Sequence, residues 1–434
     1  MNTSIIKVGA VSLGCSKNTV DTEIMLGELK SYGFEIVAEA ACADIIIVNT
    51  CGFITPAKQD SIDTIIEMAE YKKTGRCRFL VVTGCLSQRY PAELRRELPE
   101  VDMFWGVKNY PAFALELASK FNLTHCGGAK RMLTTPSYRA YLRIADGCDN
   151  RCTYCAIPLI RGGRVSVPIE KLIEEANALA DSGVTELTVI AQDTSAYGMD
   201  LYGSPRLVEL LTRLSEIEKL HWIRLLYTYP NTVTKELIDM MIANPKICNY
   251  IDMPIQHIAE NMLQAMNRHG SAAHIREITD YIRKAAPDFI LRTTVMLGFP
   301  GETERDFDEL MEFMRTHPFD RVGAFTYSAE DNTPAAEMDC QIPEEVKEAR
   351  LDELMRMQQQ ISLESNRKRI GSRCEVLIER IEGNIAYARS YAEEAEVDGL
   401  IRVELNGERP AIGSYVLITV TGADIYDLKG CIVK

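Results

Sequence analysis

The chain has 434 residues, 46% of them hydrophobic and 25% charged, enough to bury a sizeable core and to divide into two to four domains at ~150 residues each. Lys+Arg 48 against Asp+Glu 62 leaves a net charge of −14, which argues against a surface built throughout to track a phosphate backbone. No apolar run approaches the ~20 residues of a membrane-spanning helix, and thirteen cysteines without the dense spacing of a secreted disulfide scaffold point to a reducing cytoplasm with metal-bound thiolates.

From residue 5 to about 128 one theme recurs: a short apolar strand, a turn holding a cysteine, then a helix. The strands Val8–Cys15, Ile45–Cys51 and Phe79–Cys85 are followed by helices over Asp21–Tyr32, Ala57–Tyr71 and Pro91–Glu97. Such βα units predict a parallel sheet, open at its edges, whose strands all point their carboxyl ends to one side. Neighbouring strands lie ~4.8 Å apart and ligands bind beyond those ends, so Cys15, Cys51 and Cys85 should converge there. Cys42 and Cys77 lack this placement and read as buried structural thiols. Ordinary core thiols are the plain alternative for the other three.

The segment Cys126–Ser137 reads as a connection, with Gly127, Gly128 and Pro136. A second βα series follows, with strands near Tyr141–Ala145, Glu186–Ala191, His221–Tyr227, Tyr250–Met253, Phe289–Leu297 and Arg321–Tyr327. Helices are expected between them at about 168–182, 205–218, 233–243, 259–286 and 303–316, which suggests a partial (βα)6 barrel of the TIM kind. One long helix then runs from Glu344 to about Arg369, closed by Gly371. The strand-like runs Cys374–Ile378, Ala386–Arg389, Gly399–Val403 and Val416–Val420, separated by turn residues, predict a small antiparallel β-barrel.

The strongest chemical signal is Cys148-Asp149-Asn150-Arg151-Cys152-Thr153-Tyr154-Cys155, at the end of the first barrel strand. Three thiolates this close along the chain can wrap one iron–sulfur cube and leave its fourth iron without a protein ligand. A zinc knuckle is the competing reading, but it usually uses paired C-x2-C elements and needs a fourth ligand, and no Cys or His lies close by.

The run Tyr141–Cys148 through Ala156-Ile157-Pro158 resembles radical S-adenosylmethionine enzymes. The resemblance implies a [4Fe–4S] cluster on Cys148, Cys152 and Cys155 whose open iron binds S-adenosylmethionine, which one-electron reduction cleaves to a 5′-deoxyadenosyl radical. Tyr154 matches the aromatic position beside the adenine. The motifs Ser12–Asn18, Asn49–Ile54 and Thr83–Tyr90 are similar to those of the methylthiotransferase subfamily, in which the cysteines corresponding to Cys15, Cys51 and Cys85 hold a second [4Fe–4S] cluster. The implied division is a methylthiotransferase N-terminal domain over 1–128, a radical S-adenosylmethionine barrel with its long helix over 134–366, and a TRAM-like domain over 367–434. Two clusters suit sulfur insertion into an unreactive C–H bond, which requires both triads to face one water-excluding cavity between the first two domains.

Gln192, after the second barrel strand, resembles the position that contacts the methionine end of S-adenosylmethionine; a strand-end amide satisfying a turn is the alternative. Met296–Thr303 looks like the family's later glycine motif, or a strand-to-helix turn capped by Thr303. His257 is a candidate acid or base, or a structural histidine. No side chain is assigned a catalytic role. Where relatives commonly have arginine before Pro168 this chain has Val167, so no ion pair is expected there.

The terminal barrel resembles a TRAM domain, which in the tRNA-modifying branch grips RNA. From Gly371 to Lys434 there are 7 Lys+Arg and 11 Asp+Glu, 7 − 11 = −4, with Glu393, Glu394, Glu396 and Asp398 in one stretch. An acidic face would repel a phosphate backbone and suit a basic protein. Residues Ala388–Gly399 also look like the branch that methylthiolates the β-carbon of an aspartate in small-subunit ribosomal protein number twelve. The resemblance therefore implies a ribosomal-protein substrate, an electron-donating reductase, and RNA binding as no main role, in the cytoplasm. A tRNA adenosine methylthiotransferase and an iron–sulfur electron carrier without substrate are the alternatives.

Overall fold

A computed structural model describes residues 5–128 and 130–433. Residues 1–4 of the expected first domain, Ala129 of the expected connection and Lys434 lie outside the described residues. The chain forms two compact units, one of residues 1–136, 141–165 and 328–336, the other of residues 137–140, 166–327 and 337–434. Among the described residues no helix is long and apolar enough to cross a membrane.

In the first unit, strands β1 (Lys7–Ser12), β2 (Glu35–Ile36), β3 (Ile45–Thr50), β4 (Phe79–Gly84) and β5 (Met103–Phe104) form one parallel sheet in the order β2-β1-β3-β4-β5. Its central strands are apolar at nearly every position because helices cover both faces. Ile45, Ile47 and Val81 pack with Leu26, Phe113 and Leu117 on one side, while Ile46, Val48, Leu80 and Val82 pack with Ile65, Met68 and Leu94 on the other. Ser12 pairs with Asn49 and Asn49 with Thr83, so the three cysteine-bearing loops leave the sheet at one level. The helix expected from Asp21 begins at Ser16, directly after Cys15, and runs to Lys30.

Strand β6 (Arg139–Arg143) carries the chain from the second unit into the first, where β7 (Ala145–Asp146) precedes the C-x3-C-x2-C loop; β7 pairs with β8 (Val165–Ser166), at which the chain returns. The large sheet has the order β13-β12-β11-β10-β9-β6, with β9 Glu186–Ile190, β10 Trp222–Leu225, β11 Ile247–Asp252, β12 Ile290–Leu297 and β13 Arg321–Thr326. Neighbours from β9 to β13 are parallel, and the sheet has six strands, as a partial barrel requires. The single helix expected over 259–286 is two, Glu260–Ala265 and Ala272–Ala285, because Asn267 and Gly270 take positive φ between them. The long helix is Glu344–Lys368.

The terminal barrel closes in the order β14-β15-β16-β18-β17, with β14 Arg373–Glu382, β15 Ile385–Arg389, β16 Ile401–Glu404, β17 Tyr415–Ala423 and β18 Leu428–Ile432. Four pairings are antiparallel; β16 and β18 run parallel and close the barrel.

The acidic stretch is not a free face. Glu393 and Glu394 are buried: Glu393 pairs with Arg369 and, at 3.6 Å, with Arg321, and Glu394 Oε2 lies 2.9 Å from Arg224 Nε. Asp398 accepts from the Tyr250 hydroxyl at 2.7 Å and the Glu394 N–H at 2.8 Å. Only the Glu396 side chain is well exposed, and it pairs with Arg139. Charge counting missed this because Arg139, Arg224 and Arg321 come from β6, β10 and β13, far away in sequence, and Arg369 from the end of the long helix. The stretch Glu393–Asp398 therefore does not form the expected acidic docking face.

Candidate metal centres

Cys15 precedes the first helix turn, and its carbonyl receives the N–H groups of Asn18 at 2.9 Å and Thr19 at 3.2 Å. A helix N-terminus favours the negative charge of thiolates and a cluster. Gly14 has φ +89°, and a Cβ there would stand 2.9 Å from Cys51 Cβ and 3.0 Å from its Sγ, so glycine lets the first loop close on the second. A Cβ on Gly52 would reach the Leu86 nitrogen at 2.6 Å, which brings the second loop onto the third. Cys51 is further held by Ser61, whose hydroxyl accepts its N–H and donates to its carbonyl, each at 3.0 Å. Cys15 is exposed, Cys51 intermediate and Cys85 buried.

Burial pushes the Cys85 thiol up to about 12, with Arg161 opposing and Cys15 and Cys51 adding to the rise. Burial likewise raises the Cys51 thiol, and Cys15 pushes the same way. Thiols raised in this way must lose their protons when a metal is loaded.

Cys148, Cys152 and Cys155 lie in a loop wound without helix or strand. Its entry is Gly147, φ +75°, where a Cβ would meet the Gly163 carbonyl at 2.2 Å. Arg151 takes φ 51°, the Cys148 N–H donates to the Gly162 carbonyl at 3.1 Å, and the Cys155 N–H to the Cys152 carbonyl at 3.0 Å. Among the described residues no three His, Cys, Asp or Glu side chains converge as ligands of one metal ion would. In a cluster each thiolate takes its own iron, so two sets of three spaced thiols fit iron–sulfur cubes better than mononuclear sites.

Both triads belong to the first unit. The helix Ile157–Arg161 follows Cys155; Ala156 and Ile160 pack with Cys85 and Val107, and the Arg161 guanidinium stands 3.7 Å from Cys85 Sγ. The segment over 328–336 ties the same loops. Glu330 is buried against Arg89 at 2.8 Å and Lys58 at 2.9 Å, Arg89 donates to the Gly52 carbonyl at 3.0 Å, and the Ala335 N–H donates to the Thr153 carbonyl at 3.0 Å. Sequence reasoning missed Arg161 and Glu330. The only local signal was a charged side chain ending the apolar run Ile157–Ile160.

Tyr154 is half-buried between Thr153 and Cys155 in the first unit, and Gln192 half-buried just after β9 in the second. His257 is fully buried; its Nδ1 accepts the Ala259 N–H at 3.0 Å, its Nε2 lies 4.0 Å from Glu302, and burial pushes it down to about 4. Enclosed and bound to the Ala259 N–H, the imidazole holds this turn. At the end of the Met296–Thr303 run Thr303 and Asp306 form a capping box, and Gly298, φ +69°, makes room for Lys347. The carbonyl of Val167 accepts the Tyr197 hydroxyl at 2.6 Å. Cys42, expected to be buried, is exposed at the end of a short 3-10 turn, within 3.7 Å of Glu39; Cys77 is buried as expected.

Three family models match the chain: uncharacterized protein family UPF0004 over residues 7–106, the radical SAM superfamily over 142–314 and the TRAM domain over 370–433. Ribosomal protein uS12 methylthiotransferase RimO from Clostridioides difficile is 47% identical over 438 residues, covering 98% of each chain. The same-named protein of Pelotomaculum thermopropionicum is 48% identical over 439 residues, covering 98% of this chain and 99% of that one. Among solved structures, the radical S-adenosylmethionine methyltransferase TsrM from Kitasatospora setae has a TM-score of 0.55 at 13% identity, covering 76% of this chain and 73% of that one, a likeness of fold alone. The near-half identity along nearly the whole length places the chain in the family of the ribosomal protein uS12 methylthiotransferase RimO.

Proposed function

We propose that the chain is a radical S-adenosylmethionine methylthiotransferase that adds a methylthio group to the β-carbon of an aspartate in ribosomal protein uS12. The observation that carries this is that two sets of three cysteines, each on glycine-shaped loops, are packed together in one compact unit of a chain nearly half identical to proteins of that name. Cys148, Cys152 and Cys155 hold one [4Fe–4S] cluster, and Cys15, Cys51 and Cys85 hold the other. When bound, S-adenosylmethionine and the two clusters supply the one-electron cleavage that removes hydrogen and the sulfur that replaces it.

The protein's own part is placement. Gly14, Gly52 and Gly147 let the loops approach, Ser61 and Asn18 fix their backbone, and the buried surroundings of Cys85 exclude water. By the family resemblance, Tyr154 would serve the adenine and Gln192 the methionine end of S-adenosylmethionine. Residues 1–128 carry the second cluster, 134–366 the radical chemistry and 367–434 the TRAM-like barrel. A reductase supplies electrons, and the enzyme works in the cytoplasm.

The test uses uS12 carrying deuterium at the β-carbon of its aspartates, with the reduced holoenzyme and S-adenosylmethionine under anaerobic conditions. Deuterium in 5′-deoxyadenosine together with a methylthio mass on one aspartate is expected. 5′-Deoxyadenosine free of deuterium alongside unmodified uS12 would refute the assignment.

A further inference from the structure

Arg161 ends the short helix that follows Cys155, and its side chain is only 1% exposed. Its guanidinium meets Asp21 at 2.8 Å and Asp146 at 3.1 Å, and Asp21 is shared with Arg143. Two carboxylates and two guanidiniums balance in charge. What this balance does not explain is why Arg161 is also aimed at a cysteine. Its Nη2 stands 2.9 Å from Asn18 Oδ1 and 3.7 Å from Cys85 Sγ. Asn18 in turn donates to the Leu13 carbonyl at 2.8 Å and the Thr50 carbonyl at 3.0 Å, the backbone just before Cys15 and Cys51. Asp146, on the other side, lies two residues before Cys148 and accepts the Gly147 N–H at 3.1 Å. One fork-shaped cation thus reaches all three strand-end loops and the entry of the C-x3-C-x2-C loop, which a lysine's single ammonium could not do.

We propose that Arg161 is a positioning residue shared by the two triads, setting the reduction potential of the cluster at Cys15, Cys51 and Cys85 and fixing that triad against the Cys148–Cys155 loop. This rests on the assignment of both triads as cluster ligands. Reduction adds one electron to the cluster, and a buried cation donating toward its cysteine sulfur stabilises the more negative, reduced form. Arg161 and Cys85 are both buried, so between them that stabilisation is weakly screened. Asp21 opposes it, so the two residues have effects of opposite sign.

The experiment uses the full chain with Cys148, Cys152 and Cys155 replaced by alanine, reconstituted anaerobically so that only one cluster is loaded. Iron content, far-UV circular dichroism and a potentiometric titration followed by electron paramagnetic resonance are recorded for this background and with Arg161→Met, Arg161→Lys or Asp21→Asn added. Arg161→Met should make reduction at a given poise at least tenfold less favourable, ~59 mV for one electron. Arg161→Lys should fall between, and the near-isosteric Asp21→Asn should move the midpoint upward. A merely structural role would not give shifts of opposite sign. Clusters that load normally with unchanged midpoints in Arg161→Met and Asp21→Asn would overturn the proposal while leaving the ligand assignment intact. A background chain that takes up no cluster would overturn the assignment of Cys15, Cys51 and Cys85, and this proposal with it.

Discussion

Replacing Arg389 by Met tests what holds the terminal barrel to the large sheet. Arg389 is fully buried; it meets Glu186 Oε2 at 2.5 Å and Oε1 at 3.1 Å, Glu379 at 2.9 Å and the Glu393 carbonyl at 3.1 Å. Glu186 is equally buried, and its other close cation, Arg224, is 3.3 Å away. Removing one partner of such a buried pair leaves an uncompensated charge and costs ~3–5 kcal/mol, a large share of a typical ~5–15 kcal/mol total. Burial pushes the Glu186 carboxyl up, but Arg389, Arg224 and Arg139 outweigh it and hold it at about 2, against 4.5 in the unfolded chain. The resulting stabilisation is present above pH 4.5 and lost as pH falls toward 2. In Arg389→Met that acid slope should flatten, because the folded carboxyl rises. Urea unfolding, with limited proteolysis between the long helix and β14 to report barrel release, measures the cost. Adding Glu186→Gln should recover ~2 kcal/mol or more of it, since no buried charge is then left unpaired. A loss below ~1 kcal/mol, or additive costs in the double variant, would refute this account of the docking.

Gly14→Ala should halve the iron bound per chain after reconstitution, because the new Cβ would crowd Cys51 at 2.9 Å on a backbone of φ +89°; full iron loading would contradict the close-approach argument. Cys152→Ala should abolish cleavage of S-adenosylmethionine, whereas Cys85→Ala should retain cleavage and lose methylthio transfer; the opposite pattern, read by chromatography of 5′-deoxyadenosine, would exchange the roles of the triads. His257 has a folded value near 4 against 6.5 when unfolded, so the unfolded chain takes the proton first. Stability should be full above pH 6.5 and fall by up to about 3 kcal/mol as pH drops toward 4. His257→Gln should remove that slope in urea midpoints, and an unchanged slope would place the titration elsewhere.

Much of the site was legible because β3 and β4 are buried on both faces and read as unbroken apolar runs, each with a cysteine at the same offset. The two-residue strands β2 and β5 carry no pattern of their own. Strand β18 was missed because Lys429 and Gly430 interrupt its apolar character, while its parallel pairing with β16 is a tertiary fact. The first helix starts five residues before the expected Asp21 because Lys17, Asn18 and Asp21 are polar yet buried, Asn18 against the loop carbonyls of Leu13 and Thr50 and Asp21 against Arg143 and Arg161. The same physics misled the reading of Glu393 and Glu394. Whether a carboxylate faces water or an arginine depends on what folding brings from distant positions, as Arg224 reaches Glu394 from 170 residues away.

The most direct test of the central claim is anaerobic turnover of the reduced, reconstituted protein with S-adenosylmethionine, offered a uS12 peptide and a tRNA together and read by mass spectrometry. A methylthio increment on the peptide's aspartate alone is the predicted result. An increment on the tRNA alone would transfer the enzyme to nucleic acid, and intact S-adenosylmethionine with neither product would contradict radical chemistry altogether.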